Sequence, residues 1–73
     1  MATLPQRFGR GVRRLREAAG YSQERFAALA RIDRAYYSRI ERGHTDVSLE
    51  VVGRIAKALK VSLCELVAAV DAE

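Results

Sequence analysis

The chain of 73 residues has one cysteine, one histidine, one proline and no tryptophan. Because Cys64 stands alone, an intramolecular disulfide and a cysteine-rich metal site are both excluded. His44 has no second ligand or nucleophile to accompany it, so an acid–base or metal role is not expected. We therefore predict a protein without catalysis, metal, cofactor or small-molecule ligand.

Long apolar segments are missing as well. No stretch approaches the roughly 18 apolar residues of a membrane span, and the first residues lack the apolar core of a secretory signal. Repeats, low-complexity tracts and the alternating pattern of β-strands are absent. These features predict a soluble cytoplasmic protein, with Cys64 as a small apolar residue in its reduced form.

Acidic residues are scarce in the first part of the chain. Between Arg7 and Arg42 there are ten arginines and four acidic residues, a balance of +6, whereas the segment from Gly43 to Glu73 has three basic and five acidic residues, a balance of −2. A basic N-terminal part predicts a polyanionic partner on one side of the molecule and a different contact on the other. An ordinary solvated basic surface is the alternative.

Helical periodicity recurs along the chain. In residues 6–19 the apolar positions Phe8, Val12, Leu15 and Ala19 predict an amphipathic first helix, which Gly20 ends. Residues 1–5 are expected to form a loose arm. With the four helices described next, the prediction is an all-α domain of five helices spanning residues 1–73. A chain this short buries only about 60% of its unfolded surface, which favours a partner subunit.

Residues 22–43 predict two short helices joined by a tight turn. Ser22 and Asp33 are suitable N-caps, and Gly43 can end the second helix in a left-handed conformation. The first of these helices has an apolar face made of Phe26, Ala27, Leu29 and Ala30. In the second helix Tyr37 and Ile40 are predicted to point into the core.

The opposite face of that second helix is basic. It carries Arg34, Ala35, Ser38, Arg39 and Arg42. Arg34, and after it Arg39, can donate two hydrogen bonds to guanine; Ala35 can contact a thymine methyl group, and Ser38 can donate or accept. A helix of this kind is suited to the DNA major groove, so we predict these four residues to read bases. Contacts to phosphate alone are the alternative for both arginines.

Two further helices are predicted in the C-terminal part. Ser48 can cap a helix whose apolar residues are Leu49, Val52, Ile55, Ala56 and Leu59. Ser62 and Glu65 form a capping box that opens the last helix, and residues 71–73 are expected to fray. The apolar residues of this last helix are predicted to form a homodimer interface; they are Leu63, Leu66, Val67 and Val70. Alternatively, all of them fill the core.

Several of these segments match one family. Ser22-Gln23-Glu24, Leu29-Ala30, Ile32-Asp33 and Ile40-Glu41-Arg42-Gly43 resemble the helix-turn-helix pattern of the Cro and phage-repressor (xenobiotic response element) family of DNA-binding proteins. The similarity runs from about Phe8 to Leu66. The chain departs from it at Arg31 and Lys60, where members often have glycine. A left-handed backbone at either position would be unfavourable by about 1 kcal/mol.

The resemblance implies roles for individual residues. The positions of Arg34, Ala35 and Arg39 often read bases in this family, and Glu41 commonly pairs with an arginine of the first helix, here Arg16. Gln23 corresponds to a glutamine that binds a phosphate, and the loop after the reading helix follows the DNA backbone. The expected phosphate contacts are Ser22, Gln23, Tyr36, Arg42, His44 and Thr45.

Together these observations predict a transcription regulator. It would bind a pseudo-palindromic operator in double-stranded DNA as a homodimer, with reading helices about 34–36 Å apart. The short chain and the segment Asp-Arg-Ala-Tyr-Tyr-Ser-Arg-Ile-Glu-Arg-Gly are similar to restriction–modification controller proteins. The alternative is an antitoxin of the same fold whose main partner is a toxin protein.

Overall fold

A computed structural model describes all 73 residues. It contains five α-helices and no strand, which confirms the predicted fold class: α1 (Leu4–Ala18), α2 (Gln23–Leu29), α3 (Arg34–Glu41), α4 (Leu49–Leu59) and α5 (Leu63–Asp71). Helix α1 packs against α3 and α5, α2 packs on α3, and α4 packs on α5. None of the five helices has the length and apolar character needed to cross a membrane.

Each helix begins with a polar cap. The predicted caps Ser22, Asp33, Ser48 and Ser62 all accept a hydrogen bond from the backbone N–H three residues later. Helix α1 also has one, because Thr3 and Gln6 form a reciprocal capping box. The prediction of a loose arm over residues 1–5 is therefore wrong: α1 begins at Leu4, and Pro5 lies in the first turn, where its missing N–H is not needed.

The C-terminus contacts α1. Helix α5 includes Asp71, and Arg14 Nε donates to Glu73 Oε2 at 2.7 Å. Arg7 Nη2 lies 3.4 Å from Asp71 Oδ1. The prediction of fraying is therefore wrong for Asp71, which is the last residue of α5. Ala72 and Glu73 lie beyond the helix, and fraying there stays a prediction.

All five helices contribute to the core. Its largest fully buried side chains are Tyr37, Phe26, Ile40, Ile55, Leu66 and Val12. Three residues predicted to lie on apolar faces are exposed instead: Ala19, which follows the last residue of α1, Leu29 by 49% and Leu49 by 88%. Leu29 ends a helix of only seven residues, and Leu49 is the first residue of α4, whose buried stripe starts at Val51.

Glycine sets the closest helix crossing. A Cβ atom at Gly9 would collide with the backbone carbonyls of Ile40 and Glu41, at the end of α3. At Gly43, where φ is +72°, a Cβ would lie 2.6 Å from the Gln6 Cα. These two glycines let α1 approach the C-terminal end of α3 and the loop that follows it.

Candidate nucleic-acid interface

The turn between α2 and α3 is short and closely hydrogen-bonded. Arg31 is left-handed with φ of 58°, and the Ile32 N–H donates to the Ala27 carbonyl at 2.9 Å. Ile32 is buried, and Asp33 Oδ2 then accepts from the Tyr36 N–H at 3.2 Å to start α3. The two predicted helices and their tight turn are present as expected.

Helix α3 is fixed on its inner side. Tyr37 and Ile40 are buried, as predicted, and the ring of Tyr37 lies 5.3 Å from that of Phe26. A tilted aromatic pair at this separation contributes roughly 0.5–1.5 kcal/mol beyond the burial of its area. The side of α3 that remains free is therefore held in one orientation by packing.

The four residues predicted to read bases lie on that free side. Arg34, Ala35 and Arg39 are exposed, and Ser38 is half-buried. No part of the chain covers the two arginines, so the condition that their base-reading role requires is met. The role itself stays a prediction.

Arg34 has one neighbour of opposite charge. Its Nη1 lies 3.7 Å from Glu24 Oε2, and both side chains are largely exposed. A surface pair of this kind contributes only about 0–1 kcal/mol. The first turns of α2 and α3 therefore lie side by side. Because the pair is weak, Arg34 can exchange the Glu24 carboxylate for another acceptor.

Arg39 lies over an aromatic ring. Its guanidinium carbon is 5.7 Å from the centroid of Tyr36, within the range of a cation–π interaction. The Tyr36 hydroxyl donates a long hydrogen bond of 3.5 Å to the Asp46 carbonyl. Tyr36 therefore connects the outer face of α3 with the loop that follows it.

A buried polar network lies under the site. Arg16 Nε donates to Glu41 Oε2 at 2.6 Å and Arg16 Nη2 to Oε1 at 3.2 Å, which confirms the predicted pair. Arg16 Nη1 also donates to the Tyr21 carbonyl at 2.7 Å. Tyr37 donates its hydroxyl to Glu41 as well. The Tyr37 side chain can be fully buried because Glu41 supplies an acceptor for its hydroxyl inside the protein.

This network shifts three pKa values. Burial favours the neutral form of Glu41, but hydrogen bonds from Arg16, Tyr37 and Gln23 outweigh it and lower the pKa of the carboxyl below 4.5. Burial and the hydrogen bond to Glu41 raise the pKa of the Tyr37 hydroxyl above 10.0. The hydrogen bond to Glu41 raises the pKa of Arg16. The pair is therefore ionised beside a neutral phenol.

Gln23 belongs to the same network. Its Nε2 donates to Glu41 Oε1 at 2.9 Å, and the side chain is half-buried. One amide hydrogen of this predicted phosphate contact is thus already used inside the protein. Gln23 links the first residue of α2 to the last residue of α3, a connection that the spacing of the two residues in the sequence did not indicate.

The remaining predicted phosphate contacts surround α3. Ser22 Oγ is engaged as the cap of α2 and accepts from the Arg25 N–H at 3.1 Å. Arg42 and His44 are exposed after α3, while Thr45 is half-buried and donates to the Asp46 carbonyl at 3.2 Å. The start of α2 and the loop after α3 therefore flank the exposed arginines.

Four of the five arginines of α1 pair with acidic residues of the chain. Arg7, Arg14 and Arg16 each pair with an acidic residue of α3 or of the C-terminus, and Arg13 Nε pairs with Glu17 Oε2 at 3.3 Å. Two of the six surplus positive charges of the first part of the chain are thus paired with acidic residues of the C-terminus, whereas Glu17 and Glu41 were already included in that balance. The sequence indicated the Arg13–Glu17 pair by its spacing of four residues on one helix and the Arg16–Glu41 pair by the family resemblance, but not the two pairs with the C-terminus.

The predicted dimer residues divide into two pairs. Leu66 and Val70 are buried in the monomer, so their prediction as interface residues is wrong: they are one turn apart on the inner face of α5. Leu63 and Val67 lie on the outer face and are 56% and 54% exposed. Val67 borders an apolar groove together with Leu4 and Leu49, two exposed residues that sequence reasoning did not include.

Known proteins show the same pattern. A helix-turn-helix family model matches residues 12–66. The control protein C.MunI of a Mycoplasma species is 43% identical over 74 aligned positions that cover both chains completely. The control protein C.BamHI of Bacillus amyloliquefaciens is 44% identical over 55 residues, 74% of this chain and 68% of that protein.

A solved structure gives the same result for the fold. The restriction–modification controller protein C.AhdI from Aeromonas hydrophila superposes with a TM-score of 0.82 and 42% identity, over 85% of this chain and 94% of that one. The sequence matches and this superposition both include α2, α3 and the turn between them. The chain therefore belongs to the helix-turn-helix family of DNA-binding regulators of the Cro and phage-repressor type.

Proposed function

We propose that this protein is the controller of a restriction–modification system and binds a pseudo-palindromic operator as a homodimer. The observation that carries the proposal is the exposed basic face of α3, anchored from behind by Tyr37 and Ile40. Similarity to control proteins over the whole chain supports the controller role.

Base reading is assigned to the outer face of α3. Arg34 is at the first position of the helix, where residues of a recognition helix meet base edges. Its guanidinium can donate to guanine O6 and N7. Arg39, on the same face, is kept extended along the Tyr36 ring. Ala35 and Ser38 lie on that face too and complete a surface of small side chains between two cations.

Backbone contacts are assigned to the segments on either side. Ser22 and Gln23 lie at the start of α2, whereas Arg42, His44 and Thr45 follow α3, with Tyr36 between the helix and the loop. Contacts of this kind set the position of the protein on the duplex without reading its sequence. Because Gln23 is held by Glu41, it would meet a phosphate in an orientation that is already fixed.

The homodimer is assigned to the exposed apolar surface at the end of the molecule that includes α5. Leu63 and Val67 form its α5 part, and Leu4 and Leu49 extend it across α1 and α4. Adjacent exposed apolar side chains of this size are typical of protein–protein contacts. A two-fold axis through this surface would repeat the reading helix once per turn of DNA.

Selection from random duplexes tests the operator. We expect the enriched sites to be pseudo-palindromes whose half-sites are centred about 10 base pairs apart. We also expect such a site upstream of the gene for this protein and of a neighbouring restriction endonuclease gene. Enrichment of single asymmetric sites would contradict the dimer on DNA, and no enrichment would contradict sequence-specific binding.

A further inference from the structure

A second groove lies away from the apolar surface. It is formed by the C-terminal ends of α2 and α4, and we call it the basic groove; its lining includes Tyr21, Leu29, Arg31, Arg54, Lys57 and Lys60. The proposed operator complex uses none of these residues. Their charge, backbone conformation and exposure together indicate a second binding surface.

The charge of the basic groove has one sign. Arg54, Lys57 and Lys60 are the only basic residues after Gly43, and all three line this groove together with Arg31. No acidic residue lines it, and none of its four cations takes part in a salt bridge within the chain. A concave surface with four cations attracts an anionic group.

Two of these cations are held in unfavourable backbone conformations. Arg31 has φ of 58° and Lys60 has φ of 60°. A left-handed conformation is less favourable by roughly 1–2 kcal/mol for a residue with a side chain, and glycine avoids this penalty. The chain thus has a charged side chain at both turns that border the groove, where glycine would be the more stable residue.

Arg54 joins the two sides of the groove. Its Nη1 donates to the Arg31 carbonyl at 2.9 Å, which ties α4 to the turn after α2. Its Nε is buried and has no acceptor in the protein. No carboxylate of the chain pairs with this guanidinium, so its positive charge is not neutralised within the protein.

The basic groove also has an apolar part. Leu29 is 49% exposed and lines the groove beside the half-buried Tyr21 and Ala58. The sugar–phosphate backbone of DNA has no branched aliphatic side chain that would cover Leu29. A protein segment with acidic residues and a leucine-like side chain matches both the cations and Leu29.

The location of the groove separates it from the proposed operator contacts. Leu29 and Arg31 are separated from the Ser22 cap by the length of α2, a rise of about 10 Å. Lys57 is eight residues along α4 from its first residue, a rise of about 12 Å from the loop side of that helix. Three cations, Arg31, Lys57 and Lys60, are therefore at the ends of α2 and α4 that are remote from the segments assigned to phosphate, whereas Tyr21 and Arg54 lie closer to them.

We propose that the basic groove binds an acidic, leucine-containing segment of a partner protein. Acidic side chains of the segment contact Arg31, Lys57 and Lys60, and an aliphatic side chain covers Leu29. Because the groove and the face of α3 are separate, the protein can hold this segment while it is bound to DNA.

The test uses the full chain labelled with ¹⁵N and a synthetic twelve-residue peptide of alternating glutamate and leucine. A second peptide of equal charge has serine in place of each leucine. We expect the leucine peptide to shift amide signals of residues 29–31 and 54–60 and to bind several-fold more tightly than the serine peptide. Lys57→Glu and Leu29→Ser should each weaken binding, the charge reversal by about tenfold.

Arg10→Glu is the matched control, since Arg10 is also exposed, has no ionic partner and undergoes the same change of charge. It should change peptide affinity less than twofold. The proposal would be overturned if Arg10→Glu weakened peptide binding as much as Lys57→Glu, or if the two peptides bound equally tightly. It would also be overturned if the peptide shifted amide signals of α3 residues. So would a loss of random-duplex affinity in Lys57→Glu as large as in Arg42→Glu, which would assign the groove to DNA. No step requires the operator, so failure here leaves the proposed function standing.

Discussion

Single residues connect the core to the interface in the buried network of Arg16, Glu41, Tyr37 and Gln23. The Arg16–Glu41 pair follows from the family resemblance, and the structure confirms it. The contributions of Tyr37 and Gln23 could not be predicted, because a spacing in sequence does not tell which way a phenol or an amide points. Burial of one end of α3 forced both donors onto the same carboxylate.

Tyr37→Phe removes one of those donors. We expect it to reduce the free energy of unfolding by about 1–3 kcal/mol, since Glu41 loses a buried hydrogen bond. Tyr36→Phe is the control at the neighbouring position, where the hydroxyl makes only a long, exposed bond. Urea unfolding of both variants at pH 7 measures the difference, and equal losses would contradict a special role for the buried hydroxyl.

The pH dependence of stability follows from the same carboxyl. The pKa of Glu41 is lower in the folded protein than its usual 4.5. Its contribution is therefore complete above that value and is lost as the pH falls towards the folded pKa. In Tyr37→Phe the folded-state pKa of Glu41 should lie closer to 4.5, because one hydrogen bond that lowers it is removed. The acid-induced loss of stability should therefore be smaller and be complete at a higher pH than in the wild type, which unfolding curves at a series of acidic pH values would detect; identical profiles would contradict it.

Gly9 has a packing role that helix propensity does not indicate. Helix propensity alone predicts that alanine would strengthen α1 there, yet the carbonyls of Ile40 and Glu41 occupy the space. We expect Gly9→Ala to destabilise the fold by about 1–3 kcal/mol. Gly53→Ala in α4, where nothing lies within 4 Å, should instead stabilise it by about 1 kcal/mol. Thermal unfolding compares them, and a stabilising Gly9→Ala would contradict the close crossing.

At the scale of the element, helix starts were well predicted and helix ends less so. Ser22, Asp33, Ser48 and Ser62 are local signals, because a cap acts within one turn of its own helix. The Thr3 and Gln6 box was available in the sequence and was overlooked. The contacts at the end of α5 could not be predicted from local sequence, since they involve Arg7 and Arg14 of a helix more than fifty residues away.

The left-handed end of α4 gives a prediction at this scale. Replacing Lys60 by glycine should increase the free energy of unfolding by about 1 kcal/mol, because the strain at φ of 60° is removed. Lys57→Gly, three residues earlier and inside the helix, should decrease it by about 1 kcal/mol. Chemical denaturation distinguishes the two, and destabilisation by Lys60→Gly would show that its side chain contributes more than the strain removes.

For the molecule as a whole, the sequence predicted a basic surface and an apolar contact surface, but it did not predict correctly which residues form them. Composition indicated a basic part and a second contact surface, and the five helices followed from periodicity. The distribution depended on packing: α1 arginines pair with acids, and Leu66 and Val70 turn inward while Leu63 and Val67 face solvent. The rotation of α5 about its axis decides which of its apolar residues are exposed to solvent.

The proposed homodimer is tested through that outer face. Val67→Asp should convert a dimer into a monomer without unfolding it, since the side chain is exposed in the single chain. Leu29→Asp, a similarly exposed apolar residue in the basic groove, should leave the dimer intact. Sedimentation at tens of micromolar reads out the result, and a wild-type monomer or a dimer that survives Val67→Asp would contradict the assigned surface.

The measurement that bears most directly on the account is the affinity of Arg34→Ala for the selected operator and for a random duplex. Arg10→Ala serves as a control of equal charge loss. We expect Arg34→Ala to lose about 1–3 kcal/mol of binding free energy on the operator, a factor of roughly 5 to 150 in affinity. Its affinity for random DNA, and that of the control for both duplexes, should change little. Equal losses of Arg34→Ala on operator and random DNA would contradict base reading by α3 and place Arg34 on the DNA backbone.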